Sequence, residues 1–222
     1  MLIVLAFAGA AAADWRPYTF SYGYMTASKG EREIEFYTDY DEKGTVYNLK
    51  NQLEFEYGIT EHWMASIYGV FSGSNTKPYG FSQTKFQTRY RFGELGRYIV
   101  DPALYFEYKM GVDGTRALEI KEILSKDFGE WNITTNIVLE KELSSSKDWD
   151  KGYTLGVSRM LSESTRGGFE AKGSLKGDNS ELYIGPSFAM IGENLKMNIA
   201  AGLGATTASK SFIFRNIISY EF

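Results

Sequence analysis

Leu49-Lys50-Asn51-Gln52-Leu53-Glu54-Phe55-Glu56-Tyr57-Gly58-Ile59 is the stretch on which the fold turns. Leu49, Leu53, Phe55, Tyr57 and Ile59 fall on one side of a two-residue period, interrupted at Asn51. Lys50, Gln52, Glu54 and Glu56 fall on the other. At a helical period these residues would scatter around the axis, so the segment is a strand with one apolar and one charged face. The same alternation sets Phe86, Thr88, Tyr90 and Phe92 against Lys85, Gln87, Arg89 and Arg91. Trp131, Ile133, Thr135, Ile137 and Leu139 likewise alternate with Asn132, Thr134, Asn136, Val138 and Glu140.

Extended along the chain, the period marks out twelve segments, near 31–40, 46–59, 62–73, 80–93, 98–111, 115–127, 130–143, 150–162, 165–175, 180–191, 194–205 and 210–222. Most exceed the five or six residues usual in soluble sheets and suit a tilted bilayer crossing, which takes about 9–11. Connections alternate too. Thr60-Glu61, Gly129, Glu163-Ser164 and Gly192-Glu193 are tight, whereas 41–44, 72–79, 113–114, 144–148, 177–179 and 206–209 are polar stretches. Short turns at one end, longer loops at the other and an even strand count describe an up-and-down transmembrane barrel. Gly93 to Tyr98 is wider than the short end predicts.

Composition agrees. Aromatic residues make up 16% of the 222, with 23 Gly, 4 Pro and no Cys, while mean hydropathy is −0.30. The longest apolar run, Leu2 to Ala13, is too short for a spanning helix of about 20 residues. A net charge of −4 excludes a nucleic-acid binder, which carries a basic surplus. Leu2 to Ala8 followed by Ala10 to Ala13 reads as the apolar core and cleavage region of a signal peptide over 1–13, its start truncated because no basic residue precedes it. Residues 14–30 then form a periplasmic or lumenal lead segment, and 31–222 the barrel. Without cysteine, no disulfide framework supports the exported chain.

A soluble barrel alternates as well, but twelve strands of this length enclose more space than one apolar layer fills. Placing the apolar face on lipid accounts for the aromatics as interfacial girdles. Tyr57, Trp63, Phe92, Phe128, Trp131, Tyr220 and Phe222 form the girdle at the short-turn end, with Tyr40, Tyr47, Phe71 and Tyr153 near the other. The lumen then receives Glu54, Glu56, Lys85, Arg89, Arg91, Glu107, Lys109, Glu119, Lys121, Glu140, Glu170, Lys172, Lys196 and Arg215. With Glu33, Glu35, Glu142 and Lys50, nine acids face nine bases. Gly152, Gly156, Gly185, Gly202 and Gly204 leave one side of the lumen open in this register. Strands about 4.8 Å apart and tilted near 40° give a wall of roughly 12 Å radius, which long side chains narrow to a slim channel or close.

Phe212, Phe214, Ile218, Tyr220 and the final Phe222 share a face interrupted by Asn216, and this pattern resembles the C-terminal signal by which bacterial outer-membrane barrels are inserted. Lys29-Gly30-Glu31, Glu56 to Thr60 and Leu124 to Gly129 resemble a group of uncharacterised outer-membrane proteins. The resemblance covers most of 29–222 and rests on strand ends and turns. It implies a Gram-negative outer-membrane barrel surrounded by lipid and lipopolysaccharide, inserted by the barrel-assembly machinery through the strand ending in Phe222, and names no substrate.

Enzymatic chemistry is not expected. Barrel phospholipases need a Ser with a His, and omptin-like proteases an Asp–His pair. The single His62 lies at the short-turn rim, away from the outer edge where those sites occur. No cofactor or metal site is legible, since Cys is absent and acids such as Asp148 and Asp150 suit a solvated loop. The sequence thus predicts a monomeric twelve-stranded barrel passing small hydrophilic solutes through a mixed-charge lumen. The alternatives are a non-conducting barrel sealed by ion pairs and a soluble secreted β-protein.

Overall fold

The computed structural model describes residues 16–146 and 148–222. The signal-peptide reading of 1–13 lies outside the described residues. Twelve strands follow one another: β1 Arg32–Lys43, β2 Val46–Thr60, β3 Trp63–Ser74, β4 Lys77–Arg91, β5 Asp101–Gly111 and β6 Arg116–Phe128. The second half comprises β7 Trp131–Glu142, β8 Asp150–Ser162, β9 Thr165–Ser174, β10 Leu182–Ile191, β11 Leu195–Gly204 and β12 Phe212–Glu221. Each pairs antiparallel with its neighbours in sequence, and β12 returns to β1 to close the barrel.

The period of two is obeyed along most of each strand. On β2, Gln52, Glu54 and Glu56 are buried, while Leu53, Phe55 and Tyr57 are exposed. The core is therefore inverted: Arg89, Glu54, Glu56 and Glu107 are among its most buried side chains. Outside, Tyr57, Trp63, Phe92, Phe128, Trp131, Tyr220 and Phe222 are all exposed. Most lie at or beside the ends of strands next to the termini, and the Trp63 indole N–H donates to Thr88 Oγ1 at 2.6 Å.

Four boundaries stand out against the sequence reading. β1 runs on to Lys43, and β3 and β4 extend to Ser74 and from Lys77, so 41–44 and 72–79 are largely paired strand rather than loop. These ends rise beyond the apolar band and are polar on both faces, which erases the hydropathy signal while backbone pairing continues. Register shifts between Val70 and Phe71 and between Ser72 and Ser74 accompany the extension. Conversely, β5 begins at Asp101 and leaves 92–100 as the widest turn at the end carrying the termini. The Asp101 carboxylate closes that turn by accepting the Gly96 and Tyr98 N–H groups at 2.9 and 3.1 Å.

Closure is testable because the chain has no native cysteine. Phe36 and Ile218 are register partners across β1 and β12, within the span that a disulfide bridges. Phe36→Cys combined with Ile218→Cys is expected to cross-link on mild oxidation, read as a gel-mobility shift. Phe36→Cys with Phe214→Cys, four residues out of register, should stay reduced. The opposite pattern would overturn the seam.

Candidate functional site: the lumen and its N-terminal segment

The lumen is not empty. Residues 16–28 turn in from the end of the barrel that carries the termini, and Arg16, Tyr18, Thr19, Phe20, Ser21, Tyr22, Tyr24, Thr26 and Ala27 are buried within it. Entry depends on Gly58 of β2: a β-carbon there would stand 1.8 Å from the Ser28 carbonyl oxygen. The Gly30 N–H donates to the Gly58 carbonyl at 2.8 Å, pinning the neck.

Inside, the segment has no strand partner, so the wall satisfies its backbone. Glu170 of β9 accepts three successive N–H groups, those of Thr19, Phe20 and Ser21, each at 2.8 Å. A carboxylate receiving converging amides makes charge-assisted bonds, roughly twice as strong as neutral ones. Asn136 of β7 acts as a substitute peptide, accepting the Tyr22 N–H at 2.7 Å and donating to its carbonyl at 3.0 Å. Asn198 of β11 donates to the Arg16 carbonyl at 2.7 Å. Tyr18 donates to the Asn132 carbonyl at 2.7 Å, Tyr24 to the Gly93 carbonyl at 2.6 Å, and the Tyr22 and Tyr105 ring centroids lie 4.7 Å apart.

The inward glycines do not leave an open side. A β-carbon at Gly156 would sit 2.4 Å from the Tyr18 ring, and one at Gly202 would sit 3.0 Å from Ile213. The gap read from the sequence is thus filled by the lead segment and by neighbouring wall.

The lumen residues divide along the axis. Toward the termini, Glu35, Glu54 and Glu56 bring carboxylate oxygens within 4.8 Å of one another. Arg16 supplies a cation 3.5 Å from Glu35, and the Tyr37 hydroxyl bonds both Glu35 and Glu54. Lys196 bridges Glu33 at 2.6 Å and Glu221 at 3.3 Å. Each acidic cluster therefore has a side-chain cation already beside it. Arg89 is buried at this level, and its Nη2 lies 2.9 Å from Met64 Sδ. Arg91 reaches the rim, donating to the Glu61 carbonyl at 2.7 and 3.0 Å and to the Gly93 carbonyl at 2.9 Å. There Glu94 lies 2.9 Å from His62 and 3.1 Å from Arg91, and hydrogen bonds from both hold its carboxyl below the usual range. His62 is thus a rim residue paired with Glu94.

Toward the loop end, Lys85, Glu107, Lys109, Glu119, Lys121, Glu140, Lys172 and Arg215 surround a cavity of about 270 Å³ floored by Phe20 and Tyr22. A wider vestibule of about 480 Å³ shares Phe20, Lys50, Lys172 and Arg215 with it. A third cavity of about 260 Å³ lies on the other side of the segment, against Pro17, Tyr24 and Met25. Asp39, Asn136, Asn198 and the inward tyrosines Tyr37, Tyr68 and Tyr105 were not singled out from sequence. Asp39 was within reach, since it continues the inward series Glu33, Glu35, Tyr37.

The Glu170 grip gives a direct test. Glu170→Gln replaces an anionic acceptor by a neutral amide. Losing charge-assisted bonds of about 1.5–3 kcal/mol should raise amide hydrogen exchange at Thr19 to Ser21 by ten-fold or more. Unchanged protection would show that the segment is held by other contacts.

No protein-family model matches the chain, and no curated protein matches it. Solved structures do. An outer membrane channel from Pseudomonas putida F1 superposes with TM-score 0.73 at 10% identity, over 90% of this chain and 98% of that one. The KdgM porin in complex with disordered oligogalacturonate gives 0.62 at 12% identity, over 86% and 99%. The NanC porin gives 0.60 at 11% identity, over 85% and 100%. At these identities the likeness establishes a shared fold: the chain is a small closed barrel of the kind that outer-membrane channels adopt.

Proposed function

We propose that this barrel resides in a bacterial outer membrane as a channel for small hydrophilic solutes, and that residues 16–28 are its plug. The observation that carries the reading is the presence of cavities on opposite sides of that segment, the vestibule and lumen cavity at the loop end and a third cavity at the other. A wall built solely for stability has no need of a vestibule that narrows onto charged side chains. The porins and channels of like fold add support.

The outer surface supports this orientation in the membrane. Exposed apolar residues such as Leu53, Phe55, Ile67, Ile133 and Ile137 suit hydrocarbon. At the loop end, Arg116, Lys141 and Lys151 lie on the outward faces of β6, β7 and β8, alternating with the inward series of Glu119, Asn136 and Thr154. Outward cations at that edge match the phosphates of lipopolysaccharide. The barrel functions as a monomer, inserted by the assembly machinery through β12 and Phe222, and carries no enzymatic activity.

The occupied lumen favours a second reading, a barrel permanently shut. Planar bilayers separate the two. The intact protein should give small or infrequent current steps, and a variant lacking residues 16–27 should conduct several-fold more. Silence from both, with insertion verified, would leave the non-conducting reading standing.

The lipid-facing assignment has its own test. Leu53 lies mid-strand and is 52% exposed, so Leu53→Arg should destabilise the vesicle-inserted barrel by about 2–4 kcal/mol. Reversible unfolding with denaturant in lipid vesicles measures this. An unchanged midpoint would place Leu53 away from hydrocarbon.

A further inference from the structure

The charges that balance over the whole lumen do not balance above the plug. Six cations line the mid-lumen cavity, Lys50, Lys85, Lys109, Lys121, Lys172 and Arg215, against the acids Glu107, Glu119 and Glu140. Three of the cations and all three acids form one connected set. Lys109 lies 2.7 Å from both Glu119 and Glu140 and 3.4 Å from Glu107, Lys121 lies 2.6 Å from Glu119, and Lys85 lies 3.5 Å from Glu107. Lys121 also sits over the Tyr22 and Tyr105 rings, at 4.1 and 4.0 Å from their centroids.

The other three cations share one carboxylate. Asp39 bonds Arg215 Nε at 2.5 Å and lies 3.5 Å from Lys50 Nζ. It also accepts from Gln52 at 3.1 Å. Lys172, two residues beyond the Glu170 clamp, has no acid at ion-pair distance among the described residues; it faces the Phe20 ring at 5.9 Å from the centroid, as does Arg215. The next acid up the vestibule, Asp41, is taken by Lys210 at 2.7 Å. Three cations thus face one carboxylate at the foot of the vestibule, a surplus of two positive charges. The cavity opens to the vestibule at the loop end and is floored by the tip of the plug.

We propose that Lys50, Lys172 and Arg215 form a binding site for a small organic dianion, a dicarboxylate entering from the loop side and resting on Phe20. Two carboxylates neutralise the surplus that Asp39 leaves, and the ammonium of Lys172 contributes three donors. The aromatic floor accepts the carbon skeleton between the charged ends. A cavity of about 270 Å³ beneath a vestibule of about 480 Å³ admits a molecule of this size. A neutral solute of the same shape would leave the cations unmatched. The inference rests on the channel reading only for the route by which the ligand arrives; binding itself requires no conduction.

Calorimetry on the full detergent-solubilised barrel, with succinate as the probe and butane-1,4-diol as its uncharged counterpart, tests this. Succinate should bind saturably, more weakly as salt is raised, and the diol should give no heat of binding. Lys172→Gln and, separately, Lys50→Gln should each weaken succinate by ten-fold or more, while Lys172→Arg retains it, with heat-modified gel mobility verifying each folded barrel. Equal binding of the diol, or succinate affinity unchanged in both glutamine variants, would overturn the site. Succinate binding in a barrel that is silent in bilayers, with and without its plug, would remove the channel reading and leave the site. Conduction without succinate binding would do the reverse.

Discussion

Ten residue pairs, from Glu33↔Glu221 to Glu42↔Phe212, join the last strand to the first. Without that seam two strands would present unpaired N–H and C=O groups, which hydrocarbon does not tolerate and which in water invite edge-to-edge association. Closing the sheet removes both edges and fixes every other choice. The interior becomes a separate compartment, and side chains at alternate positions are committed to one phase or the other. The segment that enters this compartment finds no free edge with which to pair, so wall side chains must complete its backbone hydrogen bonds. Glu170, Asn136 and Asn198 do so, and their polarity on the inner face is a consequence of closure as much as of solvent.

Closure also changes how charge is to be counted. Summed over the lumen, acids and bases nearly cancel, which suggests a neutral conduit. Resolved along the axis, the carboxylates of Glu35, Glu54 and Glu56 gather near the termini with Arg16, while Lys50, Lys172 and Arg215 gather beneath the loops. On the proposed route a solute would meet these in sequence rather than as an average.

Leu49 to Ile59 made the wall legible because each residue there answers to a single phase. The same logic placed Glu54, Glu56, Lys85 and Arg89 inward and Tyr57, Trp63 and Trp131 outward. It faltered where strands left the apolar band, at Asp41 to Lys43 and Ser72 to Tyr79, since both faces are polar and only hydrogen bonding reveals the pairing. It left 16–28 open between a periplasmic and a lumenal position. Arg16-Pro17-Tyr18-Thr19-Phe20-Ser21-Tyr22 has no strand partner, its contacts reach more than a hundred residues away, and a short alternation there could belong to a strand or a loop. Glycines at the inner face looked like empty space for the same reason, because the ring that fills Gly156 comes from Tyr18. Composition could supply the total lumen charge and not its arrangement, which depends on register between strands distant in sequence.

The Glu170 grip carries one more implication. It holds peptide groups, so the grip itself is available to any residue whose side chain the surrounding lumen accommodates. Thr19 and Ser21 are 2% and 1% exposed, so only small side chains fit there, while Phe20, whose ring faces Lys172 and Arg215, and Tyr22, packed on Tyr105, are held by their ring contacts. A carboxylate that reads only main chain also lends itself to reuse, because any extended strand threaded to the same depth presents the same amides.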